Sequence, residues 1–318
     1  MALKHRGMNK TVKGYALGAV AAATYGMNPL FCLPLYADGM HPASVLFFRY
    51  LFALPIIALM VRSRGRSFRL ERRNVAPVLL FGLLFAVSSY TLFRSYNYMD
   101  AGIASTLLFV YPILVALIMS VFFKERLTVQ TVVCVTAALA GISLLYRSGD
   151  GTTLSLAGTL FVLVSAVSYA VYIVGVNQTR LRDVPTLTIT FYVIACGVAL
   201  FACAVAAEGV FQLPTRWWLW GNLLALALFP TAISLLCTTA AIQCIGSTPT
   251  AILGALEPLT AVLFGVTVFG ERLTPRICLG MALIIGAVSL VVAGGSVSAA
   301  LLRLRKLFPR LHIGRHRH

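Results

Sequence analysis

The sequence predicts an all-α, polytopic membrane protein with ten transmembrane helices, arranged as two inverted five-helix repeats. Three observations carry that prediction. First, the chain is 59% hydrophobic and 11% charged, against about 25% charged residues in a soluble domain, and its apolar residues come in blocks long enough to cross a bilayer. Second, one stretch occurs twice without a gap. Residues 95–128, SYNYMDAGIASTLLFVYPILVALIMSVFFKERLT, match 241–274, AIQCIGSTPTAILGALEPLTAVLFGVTVFGERLT. Pro112 falls on Pro258, Phe123 on Phe269, and Glu125-Arg126-Leu127-Thr128 on Glu271-Arg272-Leu273-Thr274. Third, the Lys and Arg residues gather between alternate apolar runs.

A span needs about 20 apolar residues. The runs fall at 13–36, 42–61, 75–97, 101–122, 128–146, 154–177, 186–207, 217–240, 247–269 and 274–295. The first follows a basic N-terminus, as a signal peptide would. However, Val12 to Tyr36 is longer than a typical h-region and lacks a clear cleavage site, so it is expected to be retained. It carries small residues four apart, Gly14, Gly18, Ala22 and Gly26, a pattern that lets helices pack closely. Asn28-Pro29 and Pro34 then break its hydrogen-bond ladder toward the outer half. Spans 4 and 9 hold Pro112 and Pro258 near their middles. Span 8 opens on Trp217, Trp218 and Trp220, an interfacial anchor. Connections are short, so neighbouring helices form antiparallel hairpins and no soluble domain fits.

With the N-terminus inside, inner segments hold 20 of the 26 basic residues. Outer segments hold four (Arg147, Arg216, Arg272, Arg276), and Arg49 and Arg94 lie within spans. The positive-inside rule then places both termini in the cytoplasm, in the cell (inner) membrane. Five is odd, so the second repeat enters the membrane upside down. The expected division is a cytoplasmic N-terminus (1–12), a first five-helix repeat (13–146), an inverted second repeat (154–295) and a basic cytoplasmic tail (296–318) lying on the inner leaflet. Inverted repeats are a recurring device for alternating access, with a site near the bilayer midplane.

The proline-centred apolar helix ending in Glu-Arg-Leu-Thr, present in both halves, resembles the EamA-type transporter family of the drug/metabolite transporter superfamily. The resemblance covers roughly residues 13–295 and implies ten helices in two inverted halves. It further implies a secondary transporter of small metabolites, commonly an exporter of amino acids and related compounds. Sugar-nucleotide and other anion antiporters share the superfamily, and no basic pair inside a late helix points to them here.

Glu257 is the acidic residue clearly inside a span. The other eight (Asp38, Glu71, Asp100, Glu125, Asp150, Asp183, Glu208, Glu271) fall in loops or at helix ends. An ionised acid at the bilayer centre costs at least about 2.5–3.5 kcal/mol on insertion scales. Glu257 is therefore protonated, paired or facing a wet cavity. It can contact a substrate cation, carry a coupling proton, or bond a carbonyl freed by Pro258. Its repeat equivalent is Tyr111. Arg49, within span 2, offers a fork for a carboxylate, or snorkels or ties span 2 to another helix. Arg94 is expected to snorkel or pair with Asp100. Asn28 sits beside the helix break as a candidate ligand contact. Tyr25, Tyr90, Tyr111, Tyr169, Tyr172 and Tyr192 lie near mid-depth, to line a cavity or to pack between helices.

No enzyme signature stands up: HExxH, Walker A and a partnered GxSxG are all missing, and His5 and His41 are the only histidines outside the tail. No catalytic residue, cofactor or metal is called for, and the seven cysteines lack metal-ligand spacing. Because the basic residues sit between the spans, nucleic acid is not an expected partner. The expected partners are a small-molecule substrate, the lipid bilayer and protons as a coupling ion, for a monomer or homodimer. A channel or non-transporting scaffold is the alternative of another class.

Overall fold

The computed structural model describes residues 2–124, 129–146, 155–245, 250 and 253–290, and among them every regular element is a helix. In chain order these are α1 (Ala2–Gly26), α2 (Asn28–Ala37), α3 (Pro42–Ser63), α4 (Arg72–Ser95), α5 (Ala101–Leu108), α6 (Tyr111–Phe123) and α7 (Val129–Tyr146). They continue with α8 (Leu156–Gln178), α9 (Thr186–Glu208), α10 (Leu219–Ala227), α11 (Ser234–Ile245), α12 (Leu256–Phe269) and α13 (Pro275–Leu290). A 3-10 turn, Arg180–Asp183, precedes α9, and a π-helical turn, Leu228–Ile233, joins α10 to α11. The Glu125–Thr128 copy of the repeated turn, the junction 147–154 and the basic tail 296–318 lie outside the described residues.

Seven described segments are long and apolar enough to cross a membrane: Lys10–Ala37, α3, α4, Ala101–Phe123, α8, α9 and Leu219–Thr238. Val132–Leu144 within α7, α12 and α13 are shorter apolar helices. Leu59, Phe122 and Val129 are 68%, 75% and 82% exposed, as expected where lipid tails are the solvent.

Prolines shape these helices. α1 stops at Gly26, Met27 is a turn, and α2 begins with Asn28-Pro29, so the predicted break is present while Pro34 stays inside α2. Span 8, expected at 217–240, is helical from Leu219 to Ile245, and the π turn holds Pro230. Turns at Phe109-Val110 and at Gly254-Ala255 precede Tyr111-Pro112 and Glu257-Pro258. Both copies of the repeated stretch are therefore interrupted within one residue of the same place. Each also ends on a left-handed residue at matching positions, Lys124 (φ 56) after α6 and Gly270 (φ 68) after α12.

The packing has a pattern of its own. α1 lies against α11, and α8 against α4; α12 lies against α1, and α6 against α8; α10 lies against α3, and α4 against α9. Each pair becomes the other when every helix is exchanged for its counterpart in the second half. The α3–α9 pair maps onto itself. The predicted small-residue face of α1 is a contact face. A methyl on Gly18 would fall 2.5 Å from the Leu253 side chain, and one on Gly26 2.4 Å from the Glu257 carbonyl oxygen. Polar ties cross the apolar interior. The Ser165 hydroxyl donates to the Ser88 carbonyl (2.7 Å) between α8 and α4, and the Ser234 hydroxyl to the Ala21 carbonyl (2.9 Å) between α11 and α1. Glu271, just past α12, accepts the backbone N–H groups of Ala101 (2.9 Å) and Gly102 (3.3 Å), which open α5.

Candidate functional site

The site is built on the defects that prolines leave. Lacking an N–H, a proline orphans the carbonyl four residues earlier. Pro29 would orphan the Tyr25 carbonyl, and the Asn28 amide nitrogen donates to it at 2.9 Å. Pro258 would orphan the Gly254 carbonyl, and the Glu257 N–H donates to it at 3.0 Å. Pro230 would orphan the Leu226 carbonyl, and the Thr231 hydroxyl donates to it at 3.0 Å. Thr231 keeps a lone pair, which accepts from Arg49 Nε at 3.1 Å. At Asn28 and Thr231 the repair fixes the orientation of a polar side chain; at Glu257 a backbone N–H makes it and the side chain stays uncommitted.

Arg49 is buried, 6% exposed, so it does not snorkel outward. Its guanidinium lies over the Phe93 ring, 5.2 Å from the centroid. Of its five donors, Nε is occupied by Thr231, and no carboxylate pairs with it among the described residues. Its terminal nitrogens are not sealed from solvent. Nearby are Tyr25, Cys32, Tyr36 and Tyr50, all within electrostatic reach.

Glu257 occupies the first turn of α12. Its side chain is half-buried. Among the described residues no hydrogen bond or ion pair engages its carboxyl. Tyr25, Tyr111, Tyr169 and Tyr96 lie within its electrostatic reach. The Tyr111 and Tyr169 rings meet edge-on with centroids 4.7 Å apart, and Tyr169 stacks on Tyr172 at 6.0 Å. The hydroxyls of Tyr25, Tyr111 and Tyr169 have no partner among the described residues and are not sealed either. Glu257 and three tyrosine hydroxyls thus gather without hydrogen-bond partners among the described residues, each tyrosine an apolar ring with a polar tip. Tyr25 is common to both charges, within reach of Glu257 and of Arg49.

The other expected site residues fall elsewhere. Asn28 is 3% exposed and its amide nitrogen is committed to the Tyr25 carbonyl; its Oδ1 is buried without a partner. Tyr90 leaves the group, because its hydroxyl donates to Glu208 (3.4 Å) at the far end of α9. Tyr192 is turned away too, donating to the Phe68 carbonyl at 2.6 Å. Arg94 does not meet Asp100: it donates to His41 Nε2 at 2.8 Å, and His41 Nδ1 lies 3.6 Å from Glu208. Burial, with Arg94 beside it, holds the His41 imidazole below its ordinary range despite the opposing charge of Glu208. Trp217 and Trp218 are exposed, whereas Trp220 packs on Phe48 at 5.6 Å. Sequence reasoning missed Thr231, Phe93 and Tyr50. The Pro230-Thr231 pair was the available signal for the first.

A bundle of helices long and apolar enough to cross a bilayer is the architecture of a multi-pass membrane protein. The EamA-like transporter family model matches the chain twice, at residues 12–147 and 156–293, and the chain belongs to that family. An uncharacterized transporter of Archaeoglobus fulgidus is 28% identical over 276 residues, 86% of this chain and 94% of that protein. The threonine/homoserine exporter RhtA of Escherichia coli (strain K12) is 26% identical over 238 residues, 74% of this chain and 77% of that one. A crystal structure of a protein 20% identical in sequence superposes with a TM-score of 0.62, covering 91% of this chain and 98% of the other, a likeness of fold.

Proposed function

We propose that this transporter exports small metabolites, amino acids or related compounds, across the cytoplasmic membrane by alternating access. The observation that carries the reading is Glu257, a half-buried acid in the first turn of α12, unpaired among the described residues and within electrostatic reach of Tyr25, Tyr111 and Tyr169, groups that in this reading line the transport cavity. Such a group is retained in a membrane interior where it meets a solute cation or a proton. The self-matching helix pairs support two related five-helix halves that rock about this cavity, the second inverted. The distribution of basic residues supports cytoplasmic termini. The threonine/homoserine exporter among the relatives supports amino acids as the solute class. A sugar-nucleotide or similar polyanion fits poorly, because the charged groups within reach of Tyr25 are an acid, Glu257, and Arg49.

The test is efflux from proteoliposomes loaded with a cytosolic metabolite extract, with and without a pH gradient, read by mass spectrometry. The expected result is selective efflux of a few compounds, accelerated by the gradient and lost in Glu257→Gln. Efflux indifferent to both would demote Glu257 to a structural residue. Equal leakage of all small solutes would indicate a channel.

A further inference from the structure

Two groups that can carry opposite charge, Arg49 and Glu257, lie within electrostatic reach of the same Tyr25 and do not pair. Arg49 is held by Thr231 and Phe93 with terminal donors to spare; Glu257 has no partner among the described residues; Tyr25 is within reach of both. Neither group has the other to offset the desolvation of its charged form. A monocation would relieve only Glu257 and a monoanion only Arg49. A dipolar solute relieves both. We infer that Arg49 is the specificity-determining residue for the carboxylate of a zwitterionic substrate, its ammonium group facing Glu257. This rests on the exporter reading above and deepens it.

Thr231 is the positioning residue. The π turn leaves the Leu226 carbonyl without its helical donor, the Thr231 hydroxyl turns to it, and the remaining oxygen lone pair holds Nε. That bond fixes the plane of the guanidinium and leaves its outer edge, the two terminal nitrogens, for a bidentate carboxylate. Phe93 supports one face. A lysine could supply the charge but neither the fork nor the stacking.

The experiment is counterflow into proteoliposomes. A panel of the twenty standard amino acids selects the best-transported one as probe. Its methyl ester (no carboxylate) and its 2-hydroxy analogue (no ammonium) then compete with it. Wild type is expected to prefer the amino acid over both analogues. Arg49→Gln should weaken the amino acid roughly tenfold to a hundredfold, leave the ester unchanged, and so abolish acid-over-ester discrimination while keeping amine-over-hydroxyl discrimination. Glu257→Gln should show the reverse pattern. Thr231→Val retains the charge and the fold even where Arg49→Gln does not, and should raise the KM for the amino acid several-fold with the ester unchanged. Loss of acid and ester by the same factor in Arg49→Gln and Thr231→Val would overturn the inference and leave Arg49 a packing residue. Transport of metabolites from the extract with no amino acid in the panel moving would overturn it as well, while leaving the transporter reading intact.

Discussion

The two copies of the repeated stretch share a backbone and differ in chemistry. Both break one turn before a proline, at Phe109-Val110 and at Gly254-Ala255, and both end on a left-handed residue. At the residue before that proline one copy has Tyr111 and the other Glu257, and the two lie within electrostatic reach of each other. At the left-handed position one copy has Lys124 and the other Gly270. Duplication preserves the interruption, while the side chain placed on it differs, a tyrosine in one copy and an acid in the other. The acids differ from one another as well. Glu257 and Glu271 flank α12, but Glu271 is occupied by two backbone N–H groups of α5, so burial alone does not distinguish a working acid from a structural one.

Making the copies alike at the proline is the strongest test. Glu257→Tyr should abolish transport in a protein that still folds, because the same backbone already carries a tyrosine in the first half; efflux and thermal unfolding measured together check this. A fully active Glu257→Tyr would remove the chemical distinction between the copies.

Gly26→Ala should come next. Its methyl group would meet the Glu257 carbonyl oxygen at 2.4 Å, and that oxygen belongs to backbone, which yields little. Overpacking of this kind costs about 1–3 kcal/mol. Transport should fall several-fold with a lowered unfolding temperature, whereas Gly221→Ala, with open space around it, should change neither.

Glu271 should behave as structure. In Glu271→Gln one of the two N–H groups of α5 faces a donor instead of an acceptor, at a cost of about 1 kcal/mol, with acid-over-ester discrimination intact. Burial first, then the charge of Asp100, push the Glu271 carboxyl above its ordinary value of 4.5 against the two N–H groups that favour its charged form. An acid whose folded pKa is raised binds more protons folded than unfolded. Its contribution to stability is therefore present below about 4.5 and is lost as pH rises through the folded value. Unfolding temperature followed across that window should drift downward in wild type and less so in Glu271→Gln.

The smallest effect belongs to the cap. A non-glycine residue in the left-handed region costs roughly 1–2 kcal/mol, so Lys124→Gly should raise stability by about 1 kcal/mol and leave transport unchanged. Gly270→Ala should lower it by a similar amount. Chemical unfolding in detergent measures both.

The spans and the duplication were legible because a bilayer selects on length and hydropathy of contiguous residues. The helix break was legible at Asn28-Pro29, since a missing N–H is a local property. Glu257 stood out for the same reason: an acid in an apolar run is costly whatever surrounds it. Other roles were not legible. Tyr90 and Tyr169 look alike in sequence, yet one reaches Glu208 and the other lies beside Tyr111 within reach of Glu257. Arg94 found His41, which sits 53 residues away along the chain.

By itself, then, the sequence determined that this chain is a bundle of apolar helices, duplicated, with prolines and one acid inside it, because each of those features is set by residues adjacent along the chain. Only the tertiary structure decided that Arg49 leans on Thr231 rather than on lipid and that Glu257 is left without a partner among the described residues. It also decided that Tyr25 is shared between the two charges. In a membrane the polar groups are few and widely spaced in sequence, so which of them meet depends on how the helix faces turn toward one another, and that is settled by packing.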